Sequence, residues 1–181
     1  TIEKLASQGS TEVYNTLAAG ISKRVYDLRK EAIKECLSDF QNFEHRLEFV
    51  SRVHGIDFIN DSRATNVNAT WYALETVNRP VIWIAGGVDN KNKYSIIKDL
   101  VKQKVKAIIC LGKDNARLVK YFSKIVPDII ETSSINDAVN AAYSLGDIDD
   151  VVLLSPTCPS FDLFDNFEDR GRQFKQAVFN L

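Results

Sequence analysis

"PVIWIAGGVDNKNKYSIIKDLVKQKVKAIICLG", residues 80–112, decides the fold. Two short aliphatic runs, "PVIWIAG" and "KAIICLG", flank "YSIIKDLVKQK", which reads as a helix. Val/Ile-rich strands joined through a helix of ten or so residues predict a βαβ unit, and hence a parallel sheet with both faces covered. The alternation continues through "NARLVKYFSKI", "DIIET", "INDAVNAAYSLG" and "DVVLLSP" to a last helix, "FEDRGRQFKQAVFN". Toward the N-terminus, "EHRLEFVSRVHGIDFINDS" alternates apolar and polar residues on both sides of "HG", the pattern of a β-hairpin. Further back, Val13, Leu17, Ile21 and Val25 recur at three to four residues, so two helices are predicted between Val13 and Phe40. The expected fold is α/β: a Rossmann-like, doubly wound, mostly parallel sheet, preceded by a short helical segment and a β-hairpin. Residues 1–42 are expected to be the helical end of a separate unit and 43–181 the α/β domain.

Composition excludes more than it identifies. With 181 residues, 45% hydrophobic, 26% charged and a net charge of −1, the chain describes a soluble globular protein with one main core. Neither nucleic acid nor an anionic membrane is expected as a partner. No apolar run approaches the ~20 residues of a membrane span, and "TIEKLASQGSTE" lacks the pattern of a secretory signal. A cytoplasmic monomer is expected. Cys36, Cys110 and Cys158 are odd in number and widely spaced, fitting reduced thiols better than a disulfide framework or a metal knuckle. The chain begins at Thr1 and contains no methionine, so a piece of a longer protein is expected.

In an open parallel sheet, ligands bind beyond the carboxyl ends of the strands, so the strand-to-helix loops carry the candidate chemistry. The first, "FINDSRATNVNAT" (58–70), collects Asn60, Asp61, Ser62, Arg63, Thr65 and Asn66 ahead of a helix starting near Val67. Capping by Asp61 or Thr65 would use one of them, and six exceed that need. The second, "AGGVDNKNKYS" (85–95), has paired glycines that permit close backbone approach, with Lys91 and Lys93 available to an anion. The third, "LLSPTCPSFDLFDNFEDRG" (153–171), places Ser160 at the expected start of a short helix, a setting that favours carboxylate or phosphate. Phe161, Phe164 and Phe167 at three-residue spacing are expected in the core. No GxxxxGK[ST] phosphate loop, HExxH or CxxC motif is present, so the polar cleft lacks a complete catalytic set.

These three motifs, in this order and spacing, resemble the C-terminal domain of the Mur ligases, nearest to the members that add D-glutamate. "FEHRLEFV" resembles the family's "HR" motif at the entrance to that domain, and "YNTLAAG" the end of its central ATP-binding domain. The resemblance implies an ATP-dependent amide-forming ligase of peptidoglycan synthesis. ATP phosphorylates the carboxylate of UDP-MurNAc-L-alanine, and the amine of D-glutamate attacks the acyl phosphate. It implies ATP contacts at Asn15, Arg46, Asp61 and Arg63, the last standing where the family usually has lysine. It implies D-glutamate contacts at Thr65, Lys91 and Ser160 and around Phe161 and Phe167. Two departures stand out: Asn90 occupies the usual lysine position with Lys91 after it, and Thr11 and Glu12 replace a His-Asn pair. Mg²⁺ is implied, with its ligands in parts outside this sequence, so the piece alone is expected to be inactive. The alternative expectation is a self-contained Rossmann-like module that binds a nucleotide or acidic metabolite without catalysis.

Overall fold

The computed structural model describes residues 20–28, 31 and 44–181. The chain divides into two compact units, Thr1–Asp39 and Phe40–Leu181. In the first, residues 20–28 are helical, with every side chain exposed. The implied site at Asn15, the Thr11–Glu12 departure and Cys36 lie outside the described residues.

The second unit carries a six-stranded sheet: β1 (Glu48–Val53), β2 (Ile56–Asn60), β3 (Val81–Gly86), β4 (Val105–Leu111), β5 (Asp128–Thr132) and β6 (Val151–Thr157). Its helices are α1 (Val67–Thr76), α2 (Lys98–Lys104), α3 (Ala116–Phe122), α4 (Ile135–Leu145) and α5 (Phe167–Phe179). The strand order is β1-β2-β6-β3-β4-β5. Only the β1–β2 pair is antiparallel. It closes as the expected hairpin through His54 and Gly55, whose φ angles of 46° and 87° suit a two-residue turn that follows the strand twist.

The central strands show why the sequence pattern was readable. Every residue of β3 and β6 is buried, because helices cover both faces, and β3 and the first four residues of β6 read as unbroken apolar runs. On one face Ile82, Ile84, Ile109 and Leu154 pack against Ala138 and Val139 of α4 and Phe174 and Val178 of α5. On the other, the Trp83 indole meets Phe122 of α3 edge to face at 5.5 Å and donates to the Ser155 carbonyl at 2.7 Å. The crossovers leaving β2, β3 and β4 carry α1, α2 and α3, while the connection returning to β6 carries α4 on the opposite face. The loops after β2, β6 and β3 are therefore neighbours at one edge of the sheet, the place where an open α/β fold builds a crevice.

Local details differ from expectation. The segment "YSIIKDLVKQK" is split into a 3₁₀ turn, Tyr94–Ile96, followed by α2. Helix α1 begins at Val67 as expected, but its cap is Asn66, whose side chain accepts from the Ala69 N–H at 3.0 Å, and not Asp61 or Thr65. Ser160 does not begin a helix: its carbonyl accepts from the N–H groups of Leu163 and Phe164 in an isolated turn, and α5 starts only at Phe167. Without a helix the three phenylalanines share no face. Phe164 packs against the core, Phe167 is half-buried, and Phe161 is 72% exposed, contrary to the expected core role.

Candidate functional site

The loop after β2 is built around buried polar groups. Asn60 is fully buried; its amide meets His45 Nδ1 at 2.9 Å and donates to Glu48 at 3.0 Å, while its Oδ1 accepts from the Ser62 N–H at 3.2 Å. Asp61 turns inward. One carboxylate oxygen accepts from the Leu47 N–H at 3.2 Å and the other from the Ser155 hydroxyl at 2.8 Å. Burial pushes its carboxyl up to about 7, against the opposing pull of the Ser155 and Leu47 hydrogen bonds and the Arg46 charge. Arg46 is half-buried in the same entrance segment. Arg63, by contrast, is exposed, with its guanidinium 5.8 Å from the centre of the Phe167 ring. Thr65 is half-buried just ahead of α1.

After β3, Gly86 and Gly87 adopt φ of 127° and 121°, conformations open only to glycine. A side chain on Gly87 would run into the Pro159 carbonyl oxygen, and that closeness lets the Val88 N–H donate to the same oxygen at 2.9 Å. Asp89 then organises the loop. It accepts from the Asn92 N–H at 2.9 Å, the Tyr94 hydroxyl at 2.9 Å and Arg117 at 2.7 Å. Lys91 is exposed and left-handed, with φ of 59°. The resemblance puts glycine at this position, and the backbone still has the conformation a glycine would take most readily. Replacing Lys91 with Gly is expected to raise stability by about 1 kcal/mol, because a side chain in the left-handed region costs that order of energy. Urea unfolding of the variant and the parent checks this, and a lower midpoint in the variant would contradict it.

The loop after β6 completes the wall. Ser160 is buried, and its hydroxyl has no hydrogen-bond partner among the described residues. Asp162 accepts from the Lys113 N–H at 3.0 Å through one oxygen, and its other oxygen, like Asn115 Oδ1, is buried and has no partner among the described residues. Beside these groups a cleft of about 280 Å³ is lined by Gly87, Asp89, Lys113, Arg117 and Asp162 among others. Unsatisfied buried polar atoms cost free energy unless a ligand or water meets them, so their clustering in the loops after β4 and β6 makes this cleft the candidate binding surface.

The sequence reading missed the residue that ties these loops together. Arg170, in the first turn of α5, is 1% exposed. Its Nε donates to Ser62 Oγ at 3.0 Å, its Nη2 to the Ser62 carbonyl at 2.9 Å, and its Nη1 to the Cys158 carbonyl at 3.1 Å. The Ser62 hydroxyl in turn donates a hydrogen bond to the Phe167 carbonyl at 2.7 Å. The available signal was position: Arg170 lies four residues before Phe174, on the buried stripe of an amphipathic helix, where a charge needs a reason.

The structure thus brings Asp61 and Ser160 onto one stitched wall, with Thr65 beside them and Arg63 and Phe161 on the surface. Cys110 and Cys158 are free, buried thiols. Among the described residues no group of three or more His, Cys, Asp or Glu could hold a metal ion, so none is assigned to Mg²⁺. Among the same residues no helix is long and apolar enough to cross a membrane.

A parallel α/β domain whose polar loops converge at three strand ends matches a known family. The profile of the "Mur ligase, glutamate ligase domain" family covers residues 45–158, and the chain belongs to that family. Over 178 residues it is 52% identical to the UDP-N-acetylmuramoylalanine–D-glutamate ligase of Christiangramia forsetii, spanning 98% of this chain and 40% of that protein. The ligase of the same name from Bacteroides fragilis is 49% identical over 180 residues, again spanning 40% of its length. The chain therefore spans about two fifths of the curated relatives it matches. Among solved structures, the bifunctional folylpolyglutamate synthase/dihydrofolate synthase of Yersinia pestis superposes with a TM-score of 0.51 at 14% identity, covering 78% of this chain and 32% of that one. The murein peptide ligase of Psychrobacter arcticus gives 0.50 at 17% identity, covering 80% and 32%. At these identities the structural likeness concerns the fold.

Proposed function

We propose that the full protein containing this chain is an ATP-dependent ligase that adds D-glutamate to UDP-MurNAc-L-alanine in peptidoglycan synthesis. The carrying observation is the 52% identity, over nearly the whole chain, to a ligase so named. A stand-alone sensing module has no comparable support. On this reading residues 1–42 end the central ATP-binding domain, residues 43–181 form the C-terminal domain, and the piece alone is inactive.

The chemistry asks three things of this wall: to orient an amino acid, to hold one end of the nucleotide, and to exclude water from the acyl phosphate. Ser160 suits the first, since its unpartnered buried hydroxyl can donate to the side-chain carboxylate of D-glutamate. Thr65, Lys91 and the backbone near Phe161 and Phe167 complete that pocket. Asp61 and Arg46, with Asn15 and Arg63, are assigned to the nucleotide. Asp61 has both oxygens occupied from within the domain, and a carboxylate retains lone pairs for a ribose hydroxyl. Mg²⁺, supplied with ATP, would shield phosphate charge while held by groups outside the described residues.

The full-length protein, given ATP, Mg²⁺ and UDP-MurNAc-L-alanine, is expected to release phosphate with D-glutamate and not with L-glutamate. Equal turnover of both enantiomers, or none with either, would sink the proposal. Ser160→Ala is expected to raise the D-glutamate KM about 10-fold or more and leave the ATP KM within about 2-fold, because one hydroxyl serves one substrate. Equal changes in the two constants would remove Ser160 from the pocket.

A further inference from the structure

Arg170 is a buried cation satisfied by neutral groups. Its three hydrogen bonds end on one hydroxyl and two carbonyl oxygens, and among the described residues no carboxylate lies in ion-pair contact with it. Asp162 acts on it through space only, and burial pulls the guanidinium below its ordinary value to about 10. A guanidinium brings five N–H donors, of which three are used. Burying a charge with no direct counterion is unfavourable, and neutral replacements could tie two loops together at lower cost. The position adds a second observation. The Cys158 carbonyl that Arg170 holds is two residues before Ser160, and the Ser62 carbonyl and hydroxyl it holds stand between Asp61 and Arg63. A fixed positive charge therefore lies at the base of a wall whose buried serine hydroxyl awaits an acceptor.

We infer that Arg170 is a positioning and specificity residue: its fork sets the separation of the loops after β2 and β6, and its charge selects an amino acid with an acidic side chain. The inference rests on the proposed D-glutamate-adding activity and names the feature that makes the Ser160 pocket prefer a carboxylate over the isosteric amide. The incoming carboxylate completes the charge balance that the domain leaves open. A neutral amide offers the same shape without the charge, and is rejected because the cation stays uncompensated.

The test uses the full-length protein and measures KM for D-glutamate and ATP, with D-glutamine as the neutral comparison substrate. Arg170→Gln, which keeps donors but loses the charge, is expected to raise the D-glutamate KM roughly 20- to 100-fold, the order for losing a unit charge that acts through space on the bound carboxylate, with the ATP KM within about 3-fold. The preference for D-glutamate over D-glutamine should fall by a similar factor. Arg170→Lys, which keeps the charge and loses the fork, should retain most of that preference while kcat falls. If Arg170→Gln does not fold, Arg170→Lys carries the test alone. Retained acid-over-amide preference supports the inference, and a preference lost along with equal rises in both KM values overturns it, as would an unchanged preference in folded Arg170→Gln. A parent enzyme with no D-glutamate-dependent phosphate release would instead reject the proposed activity.

Discussion

Gly87→Ala is expected to destabilise the domain by about 3 kcal/mol and to raise the D-glutamate KM of the full protein by more than 10-fold. Two costs combine. The φ of 121° is outside the range an alanine adopts without strain, and the added methyl would collide with the carbonyl oxygen of Pro159. That oxygen belongs to the backbone and is not free to withdraw. The Val88 N–H is bonded to it, the preceding carbonyl of Cys158 is held by Arg170, and Asn92 donates to the Thr157 carbonyl at 3.1 Å. Relief therefore requires moving the segment that carries Ser160, one residue beyond Pro159. The effect on the amino-acid KM follows from that displacement, and the melting temperature reports the strain. A variant that melts within about a degree of the parent, with D-glutamate KM unchanged, would show that the two loops are not held in contact. Lys91→Gly serves as the opposite control, because it should stabilise the same loop.

The alternating strands and helices were legible because the central strands are buried on both faces. Val81–Gly86 and the first four residues of β6, 151–154, are uninterrupted apolar runs for that reason. The hairpin was legible from "HG" between two alternating segments, since the turn fixes its register. The candidate site was legible only as a set of polar loops at strand ends. Its internal wiring was not. Asp61 is held by groups 14 and 94 residues away, and Arg170 by a serine 108 residues before it, separations that no local pattern encodes. The identity of the α1 cap was not legible either. Asn66, immediately before Val67, caps α1, while Asp61, six residues ahead of the helix, is held by Ser155 of β6. Phe161 went wrong through a false period. Three-residue spacing implies a shared face only within a helix, and the backbone from Ser160 to Asn166 makes a single turn.

The internal wiring of Asp61 also leads to the remaining large effect, on stability against pH. Its carboxyl is raised from an ordinary 3.8 to about 7, chiefly by burial. A raised acid favours the folded state in its protonated form. The stabilisation is full below about pH 4 and is lost as pH rises toward 7, above which the folded protein carries a buried carboxylate at a cost on the order of 4 kcal/mol. Asp61→Asn removes that titration. The amide can still accept from the Leu47 N–H, and its NH₂ can donate to Ser155 Oγ, which would then turn its own proton toward Thr70 Oγ1 at 3.0 Å. The variant is therefore expected to match the parent near pH 4, to exceed it by roughly 1 to 2 kcal/mol near pH 5 and by about 4 kcal/mol near pH 8, a rise of several degrees in melting temperature. On the proposed assignment of Asp61 to the nucleotide, its ATP KM should rise at the same time, because the charge that assignment offers to a ribose hydroxyl is gone. Stability gained together with nucleotide affinity lost is the pattern of a group retained for function against its folding cost. Melting curves at pH 5 and pH 8, with ATP and D-glutamate KM values beside them, test both halves. A stability difference independent of pH would contradict the buried titration, and a change confined to the D-glutamate KM would move Asp61 from the nucleotide to the amino acid.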